Sequence, residues 1–181
     1  FAKEMMAKLH VYKQTSYRKA FWQLCNSILP FIGLWIAMYH AFSYSLFLFV
    51  GLGLINGFFL VRIFIIQHDC GHHSFVKSKR MRNAIGFVCS LFSAMPYEYW
   101  ADSHAFHHNH NGKLENRDIG DIQTLTVKEY QAMSSWDQLK YKIFRFAPVT
   151  FLIDPIVYFV RNMRLPLVVL GNKRGRAFWS V

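Results

Sequence analysis

Cysteine and acidic residues are both scarce in this sequence of 181 residues. Its three cysteines form neither a CxxC motif nor an even set, which excludes a disulfide framework and is typical of a reducing compartment. Ten Asp and Glu stand against 21 Lys and Arg, and the formal net charge is +11. The absence of an HExxH motif disfavours a zinc peptidase. No strand-like pattern interleaves aromatic and basic residues, so we expect no nucleic-acid partner.

Charge of either sign is missing from residues 20–61, a run of 42 positions without Lys, Arg, Asp or Glu. As one helix this run would measure roughly 60 Å, about twice the hydrocarbon thickness of a bilayer. Polar and aromatic residues at 39–45 mark the turn between two crossings. The sequence therefore predicts a hairpin of two transmembrane helices, at about residues 21–40 and 45–66.

Basic residues flank the hairpin on both sides. Five Lys and Arg lie among residues 1–19 and four among residues 77–82, so the positive-inside rule predicts that both ends are cytoplasmic. The apolar stretches 84–97 and 146–160 are too short or too interrupted to span, which predicts interfacial segments. Thr126 and Glu129 match a capping box, so a helix is expected to begin at Val127.

These patterns predict an all-α integral membrane protein, in which a helical hairpin carries a cytoplasmic helical cap and interfacial helices. The length allows one domain over residues 1–181, with residues 67–181 cytoplasmic or interfacial. The chain begins with Phe1 rather than Met, so we expect it to be an incomplete, internal piece of a longer, multi-pass protein. Basic residues at 173–176 predict the cytoplasmic edge of a further span.

Six of the nine histidines lie in two short clusters, HDCGHH at 68–73 and HAFHH at 104–108. On a helix, His68 and His72 share one face, and so do His104, His107 and His108. Because neutral imidazole is the commonest metal ligand, these five side chains are the predicted ligands of a transition-metal site. The simpler alternative, in which each cluster is only a polar helix face, is disfavoured by two clusters in one chain.

The residues beside these histidines receive weaker assignments. His73 points about 100° away from His72 on a helix, so it is disfavoured as a primary ligand. Asp69 and Asp102 either orient imidazoles through hydrogen bonds or are solvated surface acids. Cys70 faces away from both histidines of the first cluster, and His110 is expected to face away from the second.

The two clusters resemble the first and second histidine boxes, HxxxH and HxxHH, of membrane fatty acid desaturases of the acyl-lipid type, omega-6-like in bacteria and plants. The resemblance is to the N-terminal half of that family, over roughly residues 20–180, and it includes GDIQTLTVKEY at 120–130. It implies that the five histidines bind a non-haem di-iron centre on the cytoplasmic side. The family's third box, which supplies the remaining ligands, does not occur in residues 1–181, so this fragment alone is expected to be inactive. Ala101 stands where many relatives have a basic residue.

The resemblance also implies the reaction and its partners. A methylene in the middle of an acyl chain has no acidic proton and no leaving group, so O2 activated at iron has to attack it. The expected product is a cis double bond, and the expected substrate is an acyl-lipid or an acyl-CoA. Electrons would come from a ferredoxin or a cytochrome b5-type protein, and membrane lipid would surround the hairpin.

Two alternatives remain open from the residues. One is another di-iron membrane oxidase with histidine boxes, such as a lipid or alkane hydroxylase or a carotenoid ketolase. The other is a zinc-binding membrane protein, because closed tetrahedral zinc needs only four ligands. Histidines that lie outside the spans disfavour a transport path for zinc.

Overall fold

A computed structural model describes residues 14–114 and 124–160, together with Met5. Every regular element in these ranges is helical, which confirms the predicted all-α class. The chain divides into two compact units, residues 1–97 and 98–181, and each is described by itself. Residues 1–4 and 6–13 of the basic lead-in, residues 120–123 of the GDIQTLTVKEY segment and the basic edge at 173–176 lie outside the described residues.

The first unit is built on the predicted hairpin. Helix α1 (Tyr17–Phe42) and helix α2 (Leu46–Gly71) pack against each other across a three-residue turn. Ser16 and Ser45 cap their first turns by accepting hydrogen bonds from backbone N–H groups, as N-caps do. Both helices are long and apolar enough to cross a membrane. Helix α2 runs five residues beyond the predicted span, to Gly71, so the second helix of the hairpin extends past the apolar run and carries His68.

A buried amide joins the two helices of the hairpin. In the orientation that satisfies its hydrogen bonds, the Asn56 amide donates to the Phe31 carbonyl at 3.3 Å and accepts from Trp35 Nε1 at 3.2 Å. One turn away from Asn56 along α2, Gly53 faces the Met38 side chain, and a Cβ atom at this position would lie in ordinary van der Waals contact with Met38 Cε, at 3.4 Å. Small residues and interhelical hydrogen bonds are what hold membrane helices together, since lipid supplies no hydrophobic drive between them.

A second polar contact ties the helices nearer the first histidine cluster. Arg62 lies on α2, and its Nη2 donates to Asn26 Oδ1 on α1 at 2.7 Å. Its Nε also reaches Ser27 Oγ at 3.4 Å. The Arg62 guanidinium therefore has hydrogen-bond partners on α1, at the end of the apolar part of α2.

Helix α3 (Lys79–Ser93) packs against α2 through small and polar side chains. The residues that it buries are Arg82, Gly86, Cys89 and Ser90. Val88 and Leu91, in the apolar stretch that was predicted to be interfacial, are exposed. An apolar face turned outward is typical of a helix that lies against lipid.

Helix α2 ends in a Schellman motif. The Ser74 N–H donates to the Asp69 carbonyl at 3.0 Å, and the His73 N–H donates to the Cys70 carbonyl at 3.1 Å. His73 has φ 61°, the left-handed conformation that glycine usually adopts at this position. The exposed His73 side chain thus sits on a backbone turn that serves to end the helix.

The second unit contains short helices. Helix α4 begins on the last residue of the first unit and covers Tyr97–His110. Helix α5 (Val127–Ala132) starts at the predicted residue, and the capping box between Thr126 and Glu129 is formed in full. Helix α6 (Ser135–Phe144) follows, and a π-helical turn at Val149–Ile153 then runs into α7 (Asp154–Tyr158).

The second apolar stretch predicted to be interfacial, residues 146–160, is helical over residues 149–158. This length is too short to cross a bilayer, and its side chains are largely exposed, among them Phe151, Leu152 and Ile156. Among the described residues, only the two helices of the hairpin have the length and composition of a span.

The Asn56 contact leads to a test of the hairpin. The Asn56→Leu change keeps the number of side-chain heavy atoms but leaves Trp35 Nε1 without its acceptor. We expect the free energy of unfolding to fall by about 1 kcal/mol, a typical value for a hydrogen bond between membrane helices. SDS titration in mixed micelles measures it. Phe58→Leu is the control, because Phe58 faces outward; equal stability of all three proteins would contradict the proposed role of Asn56.

The helix end at His73 leads to a second test. The His73→Gly change should raise the free energy of unfolding by about 1 kcal/mol, since glycine adopts the left-handed conformation without steric cost. His73→Val should lower it, because a β-branched residue is strained at positive φ. The same titration compares the three proteins. A His73→Gly protein that is less stable than the parent would show that the side chain, not the backbone, ends the helix.

Candidate metal centre

The first candidate ligand pair lies on the last turns of α2. His68 and His72 are one helical turn apart, and their Nε2 atoms lie 3.2 Å from each other. Their ring centroids are 4.4 Å apart at an interplanar angle of 63°. The predicted HxxxH spacing therefore brings two ring nitrogens to one point beyond the apolar part of the helix.

Asp69 contacts the other ring nitrogen of His68. Its Oδ1 lies 3.3 Å from His68 Nδ1, and both side chains are partly exposed. A carboxylate at this place favours the tautomer with the proton on Nδ1, which leaves the Nε2 lone pair available to a metal. The structure thus places Asp69 where a residue that orients a metal ligand belongs.

The second candidate pair lies on α4. The Nε2 atoms of His104 and His108 are 3.1 Å apart, which repeats the geometry of the first pair. The His107 ring centroid lies 6.1 Å from that of His104 and 5.6 Å from that of His108, so this third imidazole is close but not part of the pair. His110 Nδ1 instead lies 2.8 Å from the Phe106 carbonyl.

Trp100 has a position that the sequence interpretation missed. The pattern Tyr97, Tyr99 and Trp100 predicts an aromatic belt at the membrane interface. The Trp100 side chain is buried, and its ring stacks on that of His104 with centroids 4.6 Å apart and an interplanar angle of 19°. The spacing of four residues between Trp100 and His104 was the signal available in the sequence, because such residues meet on a helix.

The separation within each pair fits joint coordination of one ion. Imidazole nitrogen binds first-row metals at about 2.1 Å, so two nitrogens at right angles around one ion lie about 3 Å apart. The two observed separations, 3.1 and 3.2 Å, match this value. Imidazole donors suit iron, copper, nickel or zinc better than calcium or magnesium, which prefer oxygen.

Cysteine does not contribute to either pair. Cys70 is completely buried, in agreement with its predicted direction away from the histidines. Burial also raises the pKa of the Cys89 thiol to about 12, which disfavours its thiolate form.

Curated proteins similar to this chain carry desaturase names. A protein of Bacillus subtilis (strain 168) named "Fatty acid desaturase" is 36% identical over 173 residues, which cover 96% of this chain and 47% of that protein. The "sn-1 acyl-lipid omega-3 desaturase (ferredoxin)" of Nostoc sp. (strain 36) is 31% identical over 125 residues, 69% of this chain and 31% of its own length. The "Delta(12) fatty acid dehydrogenase" of Crepis alpina is 22% identical over 93% of this chain and 43% of its own length.

The chain spans less than half the length of these relatives. No solved structure matches it. The family model described as "Fatty acid desaturase" matches residues 45–181, a range that contains both histidine pairs. This match, together with the similarity to the Bacillus protein over nearly the whole chain, shows that the chain belongs to the fatty acid desaturase family, whose members are oxidoreductases.

Proposed function

We propose that this chain supplies the first two histidine boxes of a non-haem di-iron, O2-dependent fatty acid desaturase that introduces a cis double bond into an acyl chain. One observation carries the proposal: two histidine pairs, each with Nε2 atoms 3.1–3.2 Å apart, occur in a member of the desaturase family. The proposed ligands are His68, His72, His104, His107 and His108.

The proposed centre uses both boxes. The chemistry that iron would supply in this site is the activation of O2 for removal of hydrogen from an unactivated methylene. The chain's own residues hold the metal through neutral imidazoles, and Asp69 fixes the His68 tautomer that presents Nε2. Five imidazoles leave two irons short of ligands, so residues 1–181 by themselves are proposed to be inactive.

The proposed surroundings of the centre follow from the hairpin. Two helices that could cross a membrane support a multi-pass protein. The basic residues that flank the hairpin support histidine boxes on the cytoplasmic side. An acyl-lipid or acyl-CoA substrate would then reach the centre from the bilayer. The Nostoc relative's name includes both "acyl-lipid" and "ferredoxin", which supports a lipid substrate and a ferredoxin donor here; a cytochrome b5-type donor is the alternative.

Exposed basic residues follow the first box. Lys77, Lys79 and Arg80 lie on the surface between the end of α2 and the first turn of α3. Such a surface attracts an acidic protein, and an electron donor of this charge would associate faster at low ionic strength. Anionic lipid headgroups would be attracted in the same way.

Metal content tests the ligand set. In the full-length protein purified from membranes, we expect about two irons per chain, and His72→Ala, His107→Ala and His108→Ala should each lose iron because every one removes a donor. His110→Ala is the matched control, since it lies on α4 but contacts the Phe106 carbonyl. Iron measured by atomic emission reports the result. One zinc and no iron would contradict the proposal, whereas an iron protein that yields a hydroxylated or ketone product would overturn only the desaturation step.

The role of Asp69 has a separate test. The Asp69→Asn change keeps the shape but removes the charge that holds the His68 tautomer, so iron affinity should fall about 10- to 100-fold. Competition with a chelator measures this affinity. Asp102→Asn is the control, because Asp102 also neighbours the boxes but is exposed. Equal losses in both variants would show a general charge effect instead of a specific hydrogen bond.

A further inference from the structure

Gln67 is a completely buried amide that the proposed mechanism does not use. It precedes His68 directly and lies on α2 beside Ile63 and Ile66, which are also fully buried. Its Nε2 donates to the Met95 carbonyl at 3.1 Å, and its Oε1 accepts a hydrogen bond from Ser93 Oγ at 2.6 Å. Both ends of the amide are therefore satisfied by residues 26 and 28 positions further along the chain.

These hydrogen bonds hold the connection that follows α3. Ser93 Oγ also accepts from the Met95 N–H at 3.3 Å, so one hydroxyl joins Gln67 to the backbone of the connection. Ala94 has φ 56°, so the chain leaves α3 through a left-handed residue. A segment with this backbone lacks continuous helical hydrogen bonds, and its position depends on the side chains that bind it.

A second contact fixes the next residues of the same connection. Tyr97 is buried, and its ring lies directly over Gly86 of α3. A Cβ atom at Gly86 would lie 2.4 Å from the Tyr97 ring, closer than non-bonded carbons come. Tyr97 is the first residue of α4, and His104 follows it by seven residues, or about 10 Å along the helix.

We propose that Gln67 is a positioning residue for the second histidine box. It binds the connection at Ser93 and Met95, and with the Gly86 and Tyr97 contact it fixes the residue at which the helix of the second box begins. This inference rests on the proposed function, because only the proposed function gives the second box a metal to bind. The amide links the helix that carries the first box to the segment that leads into the second.

Burial of an amide in an apolar helix interface explains why the residue acts through position. Burying a polar group costs free energy unless all its hydrogen bonds are made. Gln67 therefore stabilises the one position of the connection in which Ser93 and Met95 meet the amide, and it disfavours other positions. A leucine of similar size would keep the apolar packing but accept any register. Removal of the amide should therefore loosen the connection more than it destabilises the hairpin.

The test uses the full-length protein with Gln67→Leu. In the metal-free protein, hydrogen exchange of a peptide that covers residues 93–100 should accelerate about tenfold or more, since two hydrogen bonds are lost. In the metal-loaded protein, iron per chain should fall to less than half of the parent value. Ser93→Ala removes the hydrogen bond to Gln67 Oε1 and the one from the Met95 N–H, and it should shift exchange and iron content in the same direction if Gln67→Leu fails to fold.

Asn56→Leu is the matched control. It also removes a buried amide from α2, but its partners lie within the hairpin. It should change neither hydrogen exchange at 93–100 nor iron content, although it lowers stability. Unchanged iron in Gln67→Leu, or an equal loss in Asn56→Leu, would overturn the inference. A parent protein without iron would overturn the proposed function instead, and the exchange measurement would still decide whether Gln67 holds the connection.

Discussion

The structure depends on the unbroken backbone hydrogen bonding of α2. Within a bilayer no water can satisfy a backbone N–H or carbonyl, so a spanning segment has to remain helical throughout. Helix α2 is 26 residues long, about 39 Å; its last turn contains His68, and His72 is its C-cap residue. His68 and His72 thus sit on the same rigid helix that the membrane requires, and their 3.2 Å separation follows from its pitch. A helix that stays continuous through an apolar span therefore also positions the first pair of histidines.

Local patterns in the sequence were enough to predict the features that depend on neighbours in the chain. The uncharged run of 42 residues predicted the hairpin. The pair Thr126 and Glu129 predicted the start of α5 to the residue, because a capping box joins groups only three positions apart. The histidine pairs were predicted for the same reason, since a spacing of four residues makes one face of any helix.

Contacts between distant residues could not be predicted in this way. Gln67 reads in the sequence as one polar residue at the end of an apolar run, and its partners at Ser93 and Met95 appear only when α3 packs against α2. Trp100 was assigned to the membrane interface by its composition, whereas its geometry places it on His104. The periodicity of apolar residues within one helix does not show which faces of two helices meet, because that contact depends on the side chains of both helices.

The distribution of polar and apolar residues in the first unit explains how those faces are chosen. Large apolar side chains such as Phe47, Phe58 and Leu91 are exposed, while Asn56 and Gln67 are buried. In lipid an apolar side chain gains little by moving from the bilayer to a helix interface, so hydrophobicity does not select the contact face. The contact face is instead determined by glycines that allow close approach and by amides whose hydrogen bonds can be made in only one arrangement. The residues that an ordinary core excludes are therefore the ones that specify this packing, and one of them, Gln67, directly precedes the first histidine box.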